Sequence, residues 1–175
     1  SGEVDLVLDP PFQDVERLRR EPGLALTQIA DLGQQYLAFD QWHDELEGSG
    51  LKGRNPFKDR RVREAVYRAL NIDLIVQKVL RGQATPTGAF LSPRVDGSLA
   101  ELDKRLPYDP AKAKALLAEA GYPNGFEVTL DCPNNRYVND EKICQALASM
   151  WTKIGVNTKL VTMPRAQYFP KLEKL

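Results

Sequence analysis

Apolar residues recur along this chain with two periods, and the changes of period mark out its elements. Val62, Ala65, Val66, Ala69 and Leu70 fall on one face of a helix that starts after Asp59, whose carboxylate suits the free amides of a first turn. Asn71, Ile72 and Asp73 break that helix. Asp73 is expected to cap a second one from Leu74 to Leu80, ended by Gly82 in a left-handed conformation. Asp109 and Pro110 open another, with Ala113, Leu116, Leu117 and Ala120 on its buried face and Gly121 as its stop. Phe126, Val128 and Leu130 then alternate with polar residues, the period of a half-buried strand over 126–132. After a loop over 133–138, Asn139 or Asp140 caps a helix to about Ile154, with Ile143, Leu147, Met150, Trp151 and Ile154 on one face. Gly155 ends it, and Thr158 to Thr162 is the next strand. Strand, helix, strand implies a parallel pair with a crossover. A last helix follows Pro164.

The first third is less regular. Val4–Leu8, Leu24–Ile29 and Gln35–Phe39 have the character of short strands, and 12–20 carries Val15 and Leu18 at helical spacing. Pro22 and Gly23 make a turn, and Trp42–Gly53 reads as a loop. Further on, Gln83–Pro107 is a long irregular segment, and loops of that length in a folded domain often serve function.

At 175 residues the chain suits one domain, 1–175, and hardly two. Hydrophobic residues are 42% and charged residues 27%, ordinary for a soluble domain. Lys plus Arg and Asp plus Glu are 24 each, which argues against a dedicated nucleic-acid binder. The run Lys58, Arg60, Arg61 and Arg63 reads as a solvated helix face, with Arg63 paired to an acidic neighbour. No apolar stretch approaches the roughly 20 residues that span a bilayer. Ser1 and Gly2 begin the chain abruptly, so any secretory signal is expected upstream. His43 is the single histidine and no CxxC pair occurs, so no metal site or cofactor is expected. Cys132 and Cys144 can form a disulfide in an oxidising compartment, but two half-buried free thiols are the preferred reading. The motifs GxSxG, HExxH, GxxxxGK[ST] and GxGxxG are all absent.

The candidate chemistry lies in the loop from Cys132 to Asp140. Ligands of α/β sheets sit beyond the carboxyl ends of strands, where loops lead into helices. The helix that starts there is expected to offer free amides and a positive dipole end to an anion. Arg136 adds a planar fork suited to a carboxylate, and Tyr137 an apolar wall with a hydroxyl. Asn134 and Asn135 complete the candidate contacts, the plainer alternative being that they only form the turn.

Three blocks, 55–82, 108–130 and 132–156, in this order and spacing, resemble the family 5 extracellular solute-binding proteins of ABC importers, the group of oligopeptide- and dipeptide-binding proteins. The resemblance implies a type II periplasmic-binding α/β lobe, a mixed sheet flanked by helices, and part of a bilobal protein. It implies a non-enzyme that captures a small solute, a peptide foremost, between two lobes and hands it to a membrane permease. The parent would then be periplasmic, or extracellular and lipid-anchored, and would meet the membrane only through the permease or such an anchor. An arginine in this loop can grip a peptide carboxylate in the family, and Arg136 stands at the corresponding place. Family members also carry metal chelates, sugars, haem and opines. The segment from Tyr36 to Gln41 resembles the family's hinge strand, with Asp40 where asparagine is common. Asp40 is then a turn residue or faces a cationic ligand group, and Trp42 packs or stacks on ligand. The competing readings are a small α/β hydrolase or transferase that holds a carboxylate with Arg136, which needs a titratable base nearby, and a regulator's effector domain, which would normally follow a helix-turn-helix that is not seen. A lone lobe of this kind is expected to expose unusual apolar area.

Overall fold

A computed structural model describes residues 3–174; the abrupt start at Ser1 and Gly2 lies outside them. Among the described residues the helices are α1 (Val15–Arg19), α2 (Arg60–Arg68), α3 (Ile72–Lys78), α4 (Pro110–Glu119), α5 (Asp140–Thr152) and α6 (Arg165–Leu172), and the strands are β1 (Phe126–Pro133) and β2 (Val156–Met163). β1 and β2 run parallel, with Phe126 opposite Val156 and Pro133 opposite Met163. Helix α5 joins them and packs on both, while α2 packs on α4.

Local chemistry sets most helix starts. Asp59 accepts the Arg61 amide at 2.8 Å to begin α2, and Asp109 accepts the Lys112 amide at 2.9 Å to begin α4, with Pro110 in its first turn. The second helix differs from expectation. It begins at Ile72, and its cap is Asn71, whose side chain accepts the Leu74 amide at 2.9 Å. Asp73 lies within its first turn and pairs with Arg105 at 3.1 Å. Gly82 does adopt the left-handed conformation, with φ of 76°.

The expected apolar faces meet in one core. Val62, Ala65, Val66, Ala113, Leu117, Phe126, Leu147, Trp151 and Val156 are buried together, with Phe39 packed against them. The basic run is a solvated face as expected, with Lys58, Arg60 and Arg61 exposed, and three of its four members also make pairs. Lys58 pairs with Asp44. Arg61 pairs with Asp59 and donates to the Glu119 carbonyl at 2.8 Å, closing the end of α4. Arg63 has carbonyl partners rather than the acidic one expected: it donates to Phe57 at 2.6 Å and Lys58 at 2.9 Å.

The strands expected at 4–8, 24–29 and 35–39 do not form. The sheet among the described residues is the parallel β1–β2 pair alone, with no antiparallel member. Residues with β propensity form a ladder only where a neighbouring strand supplies partners. Val4, Leu6, Val7 and Leu8 accordingly stand 62–78% exposed, and Leu24, Ile29, Leu32, Phe90 and Leu102 are exposed as well. No helix among the described residues is long and apolar enough to cross a membrane.

Candidate functional site

The loop after β1 is fastened on every side. The Asn134 amide donates to the Met163 carbonyl at 3.0 Å, extending the β1–β2 pairing by one bond. The Asn135 side-chain oxygen accepts the Arg165 amide at 2.8 Å and so satisfies the first turn of α6, whose own preceding residue is Pro164. Asn139 sits at φ 55°, a left-handed conformation that asparagine tolerates, and its side chain donates to the Val79 carbonyl at 3.0 Å beyond α3.

Asp140 organises the loop from beneath. Its carboxylate is buried, and one oxygen accepts the Arg136 and Tyr137 amides at 2.9 and 3.0 Å while the other accepts the Glu141 amide at 2.9 Å. Asn139 makes no side-chain cap bond, so Asp140 is the residue that serves the start of α5. This alters the expected electrostatics. The positive end of α5 already faces the protein's own Asp140 and Glu141 carboxylates, which leaves little of it for an external anion.

Arg136 and Tyr137 are what this scaffold presents. Both are exposed, and the guanidinium carbon lies 4.7 Å from the Tyr137 ring centroid, cation–π geometry. Among the described residues no carboxylate pairs with Arg136. A shallow open depression beside them is lined by Asn134, Tyr137, Asn139, Asp140, Glu141, Lys142 and Gln145, so a second cation stands at its edge. On its flank is Tyr168, whose phenol is pushed up first by burial and then by the nearby Tyr137, Asp131 and Tyr36.

The structure brings Asn134, Asn135, Arg136 and Tyr137 together, but not Asp40 and Trp42. Phe39 packs on Trp151 at 6.3 Å, near the far end of α5, and α5 is about 20 Å long at 1.5 Å per residue. The turn after Phe39 therefore lies toward the opposite end of that helix. Asp40 is a turn residue: its carboxylate accepts the Trp42 and His43 amides at 2.9 and 3.2 Å and meets the His43 ring at 2.8 Å. Burial raises its pKa, but the His43 amide, the His43 ring and the Trp42 amide outweigh that and hold the carboxyl below its usual value of 3.8. Asn55 clamps the turn by donating to the Asp40 and His43 carbonyls at 3.1 and 2.8 Å. Trp42 is 86% exposed.

Cys132 and Cys144 form a disulfide, with Cα atoms 6.5 Å apart, in place of the free thiols preferred from sequence. Helix α5 folds back over β1, and its second turn delivers Cys144 to the strand end. The bond closes a loop of sequence separation 12 that contains Asn134, Asn135, Arg136 and Tyr137. Replacing both cysteines by serine is expected to lower stability by about 3 kcal/mol on the loop-closure rule. Urea unfolding reads this directly, and an unchanged midpoint would assign the bond no stabilising role.

The family model described as bacterial extracellular solute-binding proteins, family 5 Middle, matches residues 1–174. The chain belongs to that family. It is 32% identical over 171 residues to heme-binding protein A of Haemophilus influenzae, covering 96% of this chain and 29% of that one. It is 28% identical over 173 residues to a glutathione-binding protein of Shigella flexneri, covering 99% and 31%. Among solved structures it matches the ABC transporter-associated periplasmic binding protein DppA of Helicobacter pylori, bound to the peptide STSA, with TM-score 0.77 and 26% identity over 91% of this chain and 28% of that one. The Pseudoalteromonas dipeptide-binding protein in complex with Met-Leu gives TM-score 0.76 and 25% identity, covering 94% and 31%. The family 5 chain thus has the α/β fold of type II periplasmic binding proteins, and it spans about 30% of the length of these relatives.

Proposed function

We propose that this chain is a single α/β lobe from the substrate-binding component of an ABC importer. That component would close on a carboxylate-bearing solute, a peptide foremost, between two lobes and present it to a membrane permease. Arg136 carries the reading. It is an exposed guanidinium, paired to no carboxylate among the described residues, on a fastened loop at the carboxyl end of a parallel strand, where ligands of such sheets gather. Membership of family 5, and relatives whose names refer to peptide, glutathione and heme binding, support the same conclusion. The Cys132–Cys144 bond favours an oxidising compartment, hence a periplasmic or extracellular, lipid-anchored parent. The role is one of binding and not catalysis. Asp140, the carboxylate nearest the loop's backbone, already accepts three amides, which leaves it poorly placed to act as a base.

Arg136→Ala in the full-length protein is expected to weaken a carboxylate ligand about 10- to 100-fold, the loss of a charge-assisted hydrogen bond worth about 1.5–3 kcal/mol. Isothermal titration against short peptides measures it. Unfolding should be nearly unchanged, because the side chain is exposed. An affinity that survives the substitution returns Arg136 to a solvated loop charge.

A further inference from the structure

We propose that Asn124 is a site of spontaneous chemical modification, where the side-chain amide is lost through a cyclic imide and part of the product becomes isoaspartate. It is the single asparagine in the chain followed by glycine. Pro123 and Asn124 are the exposed central residues of a turn closed by the Gly125 amide, which donates to the Tyr122 carbonyl at 2.9 Å. Among the described residues the Asn124 side chain makes no hydrogen bond, and Gly125 has no side chain to screen its nitrogen. The other asparagines are placed differently. Asn55 is followed by proline, which has no N–H to lose. Asn71, Asn135 and Asn139 hold hydrogen bonds with their side chains. Asn134 and Asn157 are followed by residues whose side chains crowd the nitrogen.

The Gly125 nitrogen, once hydroxide removes its proton, attacks the Asn124 side-chain carbon Cγ. The N–Cγ bond forms, the Cγ–Nδ2 bond breaks and ammonia leaves, which closes the imide ring. Water then opens the ring on either side. Breaking the new N–Cγ bond gives aspartate. Breaking the bond to the main-chain carbonyl gives isoaspartate, whose main chain runs through Cγ and is one methylene longer. The Tyr122–Gly125 bond has to open for the attack, so that turn sets the pace in the folded protein. The longer chain does not fit. A Cβ on Gly125 would lie 1.9 Å from the Gly155 carbonyl oxygen, and one on Gly155 would lie 3.3 Å from the Asn124 carbonyl oxygen, so the two backbones already touch. The Gly155 carbonyl also accepts the Phe126 amide at 3.2 Å, where β1 and β2 begin to pair. An extra main-chain carbon at 124 disturbs that junction. Aspartate keeps the length of the chain and stands at an exposed position.

Ageing the full-length protein in mildly alkaline buffer, with peptide mapping and fragment sequencing at intervals, follows the reaction. Asn124 is expected to become acid about tenfold faster, or more, than Asn134, Asn135, Asn139 or Asn157 in the same sample. The rate should rise with pH, because the attacking nitrogen must first lose its proton. Anion exchange collects the product by its added negative charge, and chromatography of its peptides gives the isoaspartate share. In a thermal melt the collected product is expected to show a component several degrees below the unaged protein, with an amplitude that matches that share. Asn124→Asp, made by mutagenesis, is expected to melt with the unaged protein. Conversion of Asn124 no faster than that of the other four asparagines overturns the site. A product that contains isoaspartate yet melts with the unaged protein overturns its effect on the β1–β2 junction. Asn124→Asp melting as low as the isoaspartate component overturns it too, since the added charge would then account for the loss.

Discussion

Trp151→Ala is expected to destabilise the protein by about 4–5 kcal/mol, near the top of the range for removing a buried aromatic side chain. Trp151 is 2% exposed at the junction of α5, α2 and the segment holding Phe39. Its ring nitrogen also donates to the Val66 carbonyl at 2.9 Å. That bond completes the end of α2. Of its last four carbonyls, Ala65 accepts the Ala69 amide, Tyr67 accepts the Leu70 amide, and Arg68 accepts the Asp109 amide at 2.8 Å. Val66 depends on Trp151, and a buried carbonyl left without a donor costs about 1–3 kcal/mol. Trp151→Phe keeps most of the packing but loses the donor, so about 1–2 kcal/mol is expected there. Urea unfolding separates the two components. Equal losses for Phe and Ala would mean that the hydrogen bond dominates and the cavity collapses at little cost.

What could be read in the sequence was local. The caps Asp59 and Asp109 act within their own turns, and the apolar faces of α2, α4 and α5 follow from spacing alone, so both stand in the structure as expected. The candidate loop was legible for the same reason, because a strand end followed by a capped helix is a sequence pattern. What failed depended on distant partners. Asn71 rather than Asp73 caps α3, with Asn71 backed by Met150 and Asp73 drawn to Arg105. The disulfide depends on the angle at which α5 returns over β1, which a spacing of 12 residues does not specify. The strands expected at 24–29 and 35–39 have β-prone residues but no pairing neighbour among the described residues.

The site shows the same division. Arg136 and Tyr137 were recognisable by type and position. Asp140 was legible as a helix cap, but its grip on the Arg136 and Tyr137 amides was not, because nothing in the spacing says the loop folds over that carboxylate. Tyr168 and Phe90 carried no signal at all. The Asn135–Arg165 bond that brings the start of α6, and with it Tyr168, toward the loop spans 30 residues in sequence, and the Tyr36–Phe90 ring pair spans more. Asp40 stands as the turn residue that was one of its two readings. The alternative of a ligand contact for Asp40 and Trp42 came from the motif, and the packing of Phe39 sets both apart from the Arg136 loop.

Gly125→Ala is expected to cost about 4 kcal/mol, comparable to loss of the Trp151 ring, though it adds one methyl group. Gly125 holds φ of 73°, where an L side chain costs about 1–2 kcal/mol. A Cβ there would also lie 1.9 Å from the Gly155 carbonyl oxygen and 2.3 Å from its carbon. The obstacle is backbone and cannot rotate away. That carbonyl accepts the Phe126 amide at 3.2 Å, at the point where β1 and β2 begin to pair. Making room means separating the strands at their first rung, an overpacking cost of about 1–3 kcal/mol in addition. Gly121→Ala isolates the first contribution. Gly121 has φ of 89°, but its added methyl would meet nothing nearer than the Arg54 guanidinium at 3.9 Å, so about 1–2 kcal/mol is expected. In a thermal melt the two variants should therefore differ by several degrees. Equal shifts would show that the β1–β2 junction yields to a methyl group. The loop that carries Arg136, at the other end of the same two strands, would then rest on a softer frame than the packing implies.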